Sequence, residues 1–107
     1  MKVINVSGHK VSGENIEVIY SIPPPFISSD WVSAIREGAE ELADEILEHM
    51  SDDVVIAIPG HPVLAVALVV AILKKWGRLP IITWAIAPDK RYQWSADIVL
   101  DLERIGE

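Results

Sequence analysis

The segment Asp53-Val54-Val55-Ile56-Ala57-Ile58 is apolar and largely β-branched, does not alternate, and is followed at once by Pro59-Gly60-His61-Pro62. An alternating strand can face water on one side. A strand that does not alternate must be covered on both faces, which is the condition of a central strand in a parallel sheet. The next eleven residues, Val63 to Leu73, are all apolar. That is well short of the roughly 20 needed to cross a bilayer, so they read as a buried helix continuing to Trp76. Pro62 suits its first turn, where a missing N–H is harmless. Lys74 and Lys75 complement its C-terminal dipole, and Gly77 ends it. A helix apolar nearly all round needs cover on more than one side.

The remaining chain supplies elements of the same kind. Residues 2–6 and 15–21 read as strands, separated by the loop Ser7-Gly8-His9-Lys10. Pro23-Pro24-Pro25 forces an extended connector. Ser28 or Ser29 can then cap a helix over residues 30–50, with Asp30 favourable in its first turn. Its apolar stripe is Trp31, Ile35, Ala39, Leu42, Ile46 and Met50. Residues 80–86 read as a fourth strand, 87–92 as a polar loop, and 96–102 as a fifth strand at an edge. This order predicts an α/β domain with a mostly parallel sheet of about five strands and helices on both faces. The first connection, Ser7 to Glu14, is eight residues, whereas a parallel crossover usually takes a dozen or more. Strands one and two therefore form either an antiparallel hairpin or an unusually short crossover.

The 107 residues fit one domain. Half of them are hydrophobic, the upper end of the usual range of about 45–50%. A small domain has much surface to cover, so this excess predicts a homodimer or higher oligomer through Val63–Leu73. The absence of cysteine excludes disulfides, thiolate metal sites and cysteine nucleophiles. Met1-Lys2-Val3-Ile4-Asn5 turns polar too soon for a signal peptide, so a cytoplasmic location without a membrane partner is expected. The net charge is −7, but nine of the sixteen acids lie between Asp30 and Asp53, opposed there only by Arg36. The acidity belongs to one helix face. Long nucleic acid needs a basic stripe and is not expected as a partner, but a small anion held by loops elsewhere remains compatible.

Ligands of open α/β sheets bind at the carboxyl ends of the strands. Three loops fall there: Ser7-Gly8-His9-Lys10, Pro59-Gly60-His61-Pro62 and Pro88-Asp89-Lys90-Arg91-Tyr92. Gly8 and Gly60 admit close approach to the backbone. The second loop enters a helix N-terminus, which favours an anion. Lys10, Lys90 and Arg91 add charge, Ser7, His9 and His61 add hydrogen bonds, and Tyr92 adds a stacking surface. Together they specify a small, multiply negative ligand with no cofactor. Taken singly, each has a plainer explanation as a tight turn or a solvated loop. His9 and His61 lack a third ligand at metal-binding spacing, so no metal is expected. His49 reads as a surface residue at a helix C-terminus. Trp84 and Trp94 are candidates to stack on bases, although tryptophans more often serve cores or interfaces. Gly8 and Gly13 have the spacing of a phosphate loop, but Glu14 stands where lysine is required. GxGxxG, GxSxG and HExxH are absent.

Ile4-Asn5-Val6-Ser7-Gly8-His9 resembles the opening strand and loop of the Csx-fifteen family, small CRISPR-associated proteins of type III systems. Ile58-Pro59-Gly60 before an apolar helix, Trp76-Gly77-Arg78-Leu79-Pro80-Ile81-Ile82, and Tyr92 with Ala96–Leu102 match in the same order. The resemblance covers nearly the whole chain. It implies a single Rossmann-like domain over residues 1–107, related to the CARF domains that sense cyclic oligoadenylates. It further implies a cytoplasmic homodimer that binds cyclic tetra-adenylate and damps antiviral signalling, by sequestration or by ring cleavage. The matching binding positions are Ser7, Gly8, His9, Pro59 and Gly60. Two departures stand out: the first loop has no room for the helix that family members commonly carry there, and Lys10 replaces a common proline. As a ring nuclease the chain would be metal-independent. The ligand's 2′-OH would attack the adjacent phosphate, with His9 or His61 as acid or base. A dimeric interaction module without a small ligand is a third possibility.

Overall fold

The computed structural model describes residues 1–25, 31–84 and 99–107. Branched side chains stiffen Val3-Ile4 and Val54–Ile56 toward extended backbone, and they form adjacent central strands. The order along the chain is β1 (Lys2–Asn5), β2 (Glu17–Ser21), α1 (Trp31–Leu47), β3 (Val54–Ala57), α2 (Pro62–Trp76), β4 (Ile81–Thr83) and β5 (Val99–Asp101), with a short 3-10 turn at Leu102–Arg104. The sheet order is β2-β1-β3-β4-β5. The first four strands are parallel, and β5 returns antiparallel to β4 at the edge. This is an α/β domain with a mostly parallel five-stranded sheet, compatible with a Rossmann-like unit. The N-cap serines, Asp30, the end of the fourth strand and Trp94 fall outside the described residues.

The first connection is the short crossover. β1 and β2 pair in parallel, with an irregularity that sets Val3 opposite Val18 but Ile4 opposite Tyr20. Helices on both faces were expected, and the two helices of the described residues lie on one. α1 and α2 pack against each other and share one face, burying Ile35, Leu42, Ile46, Leu64, Leu68 and Ile72 against Ile4, Val6, Val54 and Ile56. The opposite face carries no helix among the described residues. There Val11 and Ile16, from the β1–β2 connector, pack on Val3, Val55 and Ala57. The hand of the crossovers explains this division. The chain moves one way across the sheet from β1 to β2, and the other way from β2 to β3 and from β3 to β4. Crossovers of one hand place oppositely directed connections on opposite faces.

α2 begins and ends as its flanks dictate. The His61 Nδ1 accepts the Leu64 N–H at 3.2 Å as the N-cap. Gly77 donates its N–H to the Leu73 carbonyl at 2.8 Å. The helix is not covered all round: Val63, Val66, Val70 and Leu73 form an exposed stripe, Val66 being 66% exposed. No helix among the described residues is long and apolar enough to cross a membrane.

The acids of residues 30–53, on α1 and in the turn after it, are partly tied down by cations from elsewhere. Lys75 pairs with Asp44 at 2.6 Å, Arg78 with Asp52, and Lys2 with Asp53 at 3.7 Å. Such exposed pairs contribute about 0–1 kcal/mol each. Their consequence is spatial, because the cations outside the acidic segment are not reserved for the loops.

Candidate functional site

The sheet register brings the loops together. Asn5, Ala57 and Thr83 lie on one rung, and the ladder continues past it. The Val6 N–H donates to the Ala57 carbonyl at 3.0 Å, and the Ile58 N–H to the Thr83 carbonyl at 3.1 Å. Ser7, Pro59 and Trp84 therefore emerge in one layer at the carboxyl ends of β1, β3 and β4. Between β1 and β3 the chain turns to opposite sides of the sheet, which is the switch point where ligands of such sheets bind. A cavity of about 490 Å³ opens there, lined by Ser7, His9, Ile58, Pro59, Gly60, Pro62, Ala65, Val66 and Trp84. That volume lies within the ~300–1,000 Å³ usual for small-ligand sites.

The first wall is a turn built by Asn5. Its Oδ1 accepts the Ser7 N–H at 3.0 Å and the Ser7 Oγ–H at 2.6 Å, and its Nδ2 donates to the His9 carbonyl at 2.7 Å. Ser7 Oγ in turn accepts the His9 N–H at 3.1 Å. An asparagine that bonds the backbone two residues on is a common way to fix a turn. Ser7 is buried and its hydroxyl is committed, so it shapes the turn. Gly8 has φ +80°, and a Cβ there would lie 3.1 Å from Pro24 Cγ. Glycine is required at this position for the backbone and for the close fit.

The second wall differs. Gly60 is not in the left-handed region, and a Cβ added to it would meet nothing within 4 Å. Its missing side chain leaves open space beside the cavity. The beginning of α2 offers fewer donors than its position alone implies. Pro62 has no N–H, and His61 takes that of Leu64, which leaves Val63 to supply the N–H of the first turn. No acid occupies that turn, so nothing there opposes an anion. The bond to Nδ1 places the proton of the neutral His61 ring on Nε2, so this imidazole offers a donor and has no second lone pair for a base.

Ser7, His9, Pro59 and Gly60 line one cavity, with Gly8 in the same turn as Ser7 and His9. His61 adjoins the cavity as a helix cap. Lys10 is exposed and next to His9, outside the lining. Lys90, Arg91 and Tyr92 lie outside the described residues. Asn5 was missing from the expected binding set, and Trp84 was named only as a base-stacking candidate outside the three loops. Their signals were an amide at a strand end two residues before a serine, and an aromatic first after a strand whose end shares the loops' layer. Among the described residues, no group of three His, Asp or Glu side chains stands together as a metal site. Comparison with family models, curated proteins and solved structures finds no match for this chain.

Proposed function

We propose that this protein is a cytoplasmic binder of cyclic tetra-adenylate, the second messenger of type III CRISPR defence, and that it damps signalling by sequestering the ring. The messenger's identity comes from the resemblance of Asn5-Val6-Ser7-Gly8-His9 and the following segments. The observation that carries a small-ligand reading is the switch-point cavity, with Gly60 left bare and α2 beginning beside it. A ring of four nucleotides exceeds one such cavity. Two copies related by a two-fold axis offer two, and the ring has the same symmetry. The exposed stripe Val63, Val66, Val70 and Leu73 starts at the cavity, since Val66 lines it, and is the surface through which a second copy docks.

Sequestration is favoured over metal-independent cleavage because the polar groups are already engaged. Ser7 Oγ and His61 Nδ1 hold backbone in place, so neither is available as a base, and His9 is the cavity imidazole whose removal tests for cleavage. Radiolabelled cyclic tetra-adenylate, run on a native and a denaturing gel after incubation, tests the reading. A shift with intact ring is expected. Linear product lost in His9→Ala overturns sequestration in favour of a nuclease, and no shift at micromolar protein overturns both. A dimer without a shift leaves the interaction module.

A further inference from the structure

Trp84 is set apart from the residues around it. Ile82 and Thr83 before it are buried, yet Trp84 is 38% exposed and belongs to neither hydrophobic cluster. It lines the switch-point cavity, where the other large apolar surfaces are aliphatic: Ile58, Pro59, Pro62 and Val66. Among the described residues it is the one indole on that wall. An aromatic face in a cavity that also carries polar atoms of the Ser7–His9 turn suits a ligand with a flat apolar part and a charged part.

We propose that Trp84 is the specificity-determining residue of this cavity. Its indole stacks on a nucleobase, while the phosphate of that nucleotide lies against Gly60 and the first turn of α2. This rests on the nucleotide reading above and names what selects for it. Inorganic or sugar phosphates can satisfy the helix end, but they leave the indole and aliphatic wall wet. Stacking is tolerant of base identity because every base has a π-face. Trp84 therefore selects for the presence of a base, not for adenine over another purine.

The test is calorimetric titration of wild type, Trp84→Ala and Trp84→Phe with three compounds: cyclic tetra-adenylate, adenosine monophosphate and ribose 5-phosphate. Wild type is expected to bind both adenine compounds more tightly than ribose 5-phosphate. Trp84→Ala should lose about 10- to 100-fold in affinity for them, the scale of one base–aromatic stack, with little change for ribose 5-phosphate. Trp84→Phe should recover most of that loss. Circular dichroism of both variants should match wild type, since the indole lies outside both cores. Unchanged affinity of Trp84→Ala for the cyclic ring overturns the assignment and leaves the binding reading standing. Equal losses for ribose 5-phosphate and the adenine compounds, or no recovery in Trp84→Phe, also overturn it. Failure of wild type to bind any of the three removes the nucleotide reading and this inference together.

Discussion

Gly8 and Gly60 follow β1 and β3 in the two turns that wall one cavity, and alanine at the two positions should act with opposite sign. At Gly8 the backbone is left-handed, which costs a residue with a Cβ about 1–2 kcal/mol. The new Cβ also sits 3.1 Å from Pro24 Cγ. For a domain of this size about 1 kcal/mol shifts Tm by roughly 4–8 °C, so Gly8→Ala should melt about 5–15 °C lower. At Gly60 the backbone is not left-handed and the Cβ meets nothing within 4 Å. The remaining effect is on the unfolded chain, whose lost freedom stabilises the fold by about 0.4–1 kcal/mol. Gly60→Ala should therefore melt a few degrees higher, while its methyl occupies the space a phosphate needs. The loss of one close contact to a charged group predicts cyclic tetra-adenylate binding weaker by about tenfold or more. Scanning calorimetry paired with the gel shift reads both quantities. If Gly60→Ala melts as low as Gly8→Ala, the backbone reasoning is refuted. If it melts as expected and binds like wild type, no ligand approaches residue 60.

Three further expectations follow from other parts of the molecule. His61→Ala should lower stability by about 1 kcal/mol through loss of the α2 cap, and His61→Asn should restore it; equal urea midpoints for the two variants would refute the cap. Asp53 is held below its ordinary value of 3.8, first by the Ser51 hydroxyl and then by Lys2. Its contribution to stability is present above the ordinary carboxylate range and is lost as pH falls through its depressed value. Ser51→Ala should move its carboxyl titration, followed by NMR, back upward, and an unmoved curve would assign the effect to Lys2. Val66→Glu, at a position outward in the single chain, should keep wild-type far-ultraviolet circular dichroism and yield a monomer in sedimentation; a dimeric mass would exclude the α2 stripe as the interface.

Periodicity and punctuation made most of the fold legible. The unalternating Val54–Ala57 run announced a central parallel strand, and the Ile35–Ile46 stripe announced which side of α1 is buried. The faces of the helices were harder to read, because they depend on the direction of the β1–β2 connection. Eight residues between those strands did not distinguish a hairpin from a tight crossover. The site was legible in its loops but not in its division of labour. Ser7 and His61 carry polar atoms that suit a ligand, and the sequence holds no sign that Asn5 and the Leu64 N–H claim those atoms first. Charge misled in a similar way. The slight positive balance outside residues 30–53 pointed to the loops, yet Lys2, Lys75 and Arg78 reach back to the acids. Salt bridges between distant segments leave no periodic trace.

The connector between β1 and β2 has two jobs in one short stretch. Its first residues, Ser7 to His9, are a wall of the cavity, and its later ones, Val11 and Ile16, shield the face of the sheet that carries no helix among the described residues. In a domain with a helix at this place, those tasks are separated by several turns. On the proposed binding reading, a molecule that gripped the turn would also restrain the shield and so link occupancy to the protection of Val3, Val55 and Ala57. If the connector opens as one unit, a ligand bound in the cavity would raise the free energy of that opening. Amide exchange along β1 and β3 should then slow when cyclic tetra-adenylate is added, and unchanged exchange would break that link.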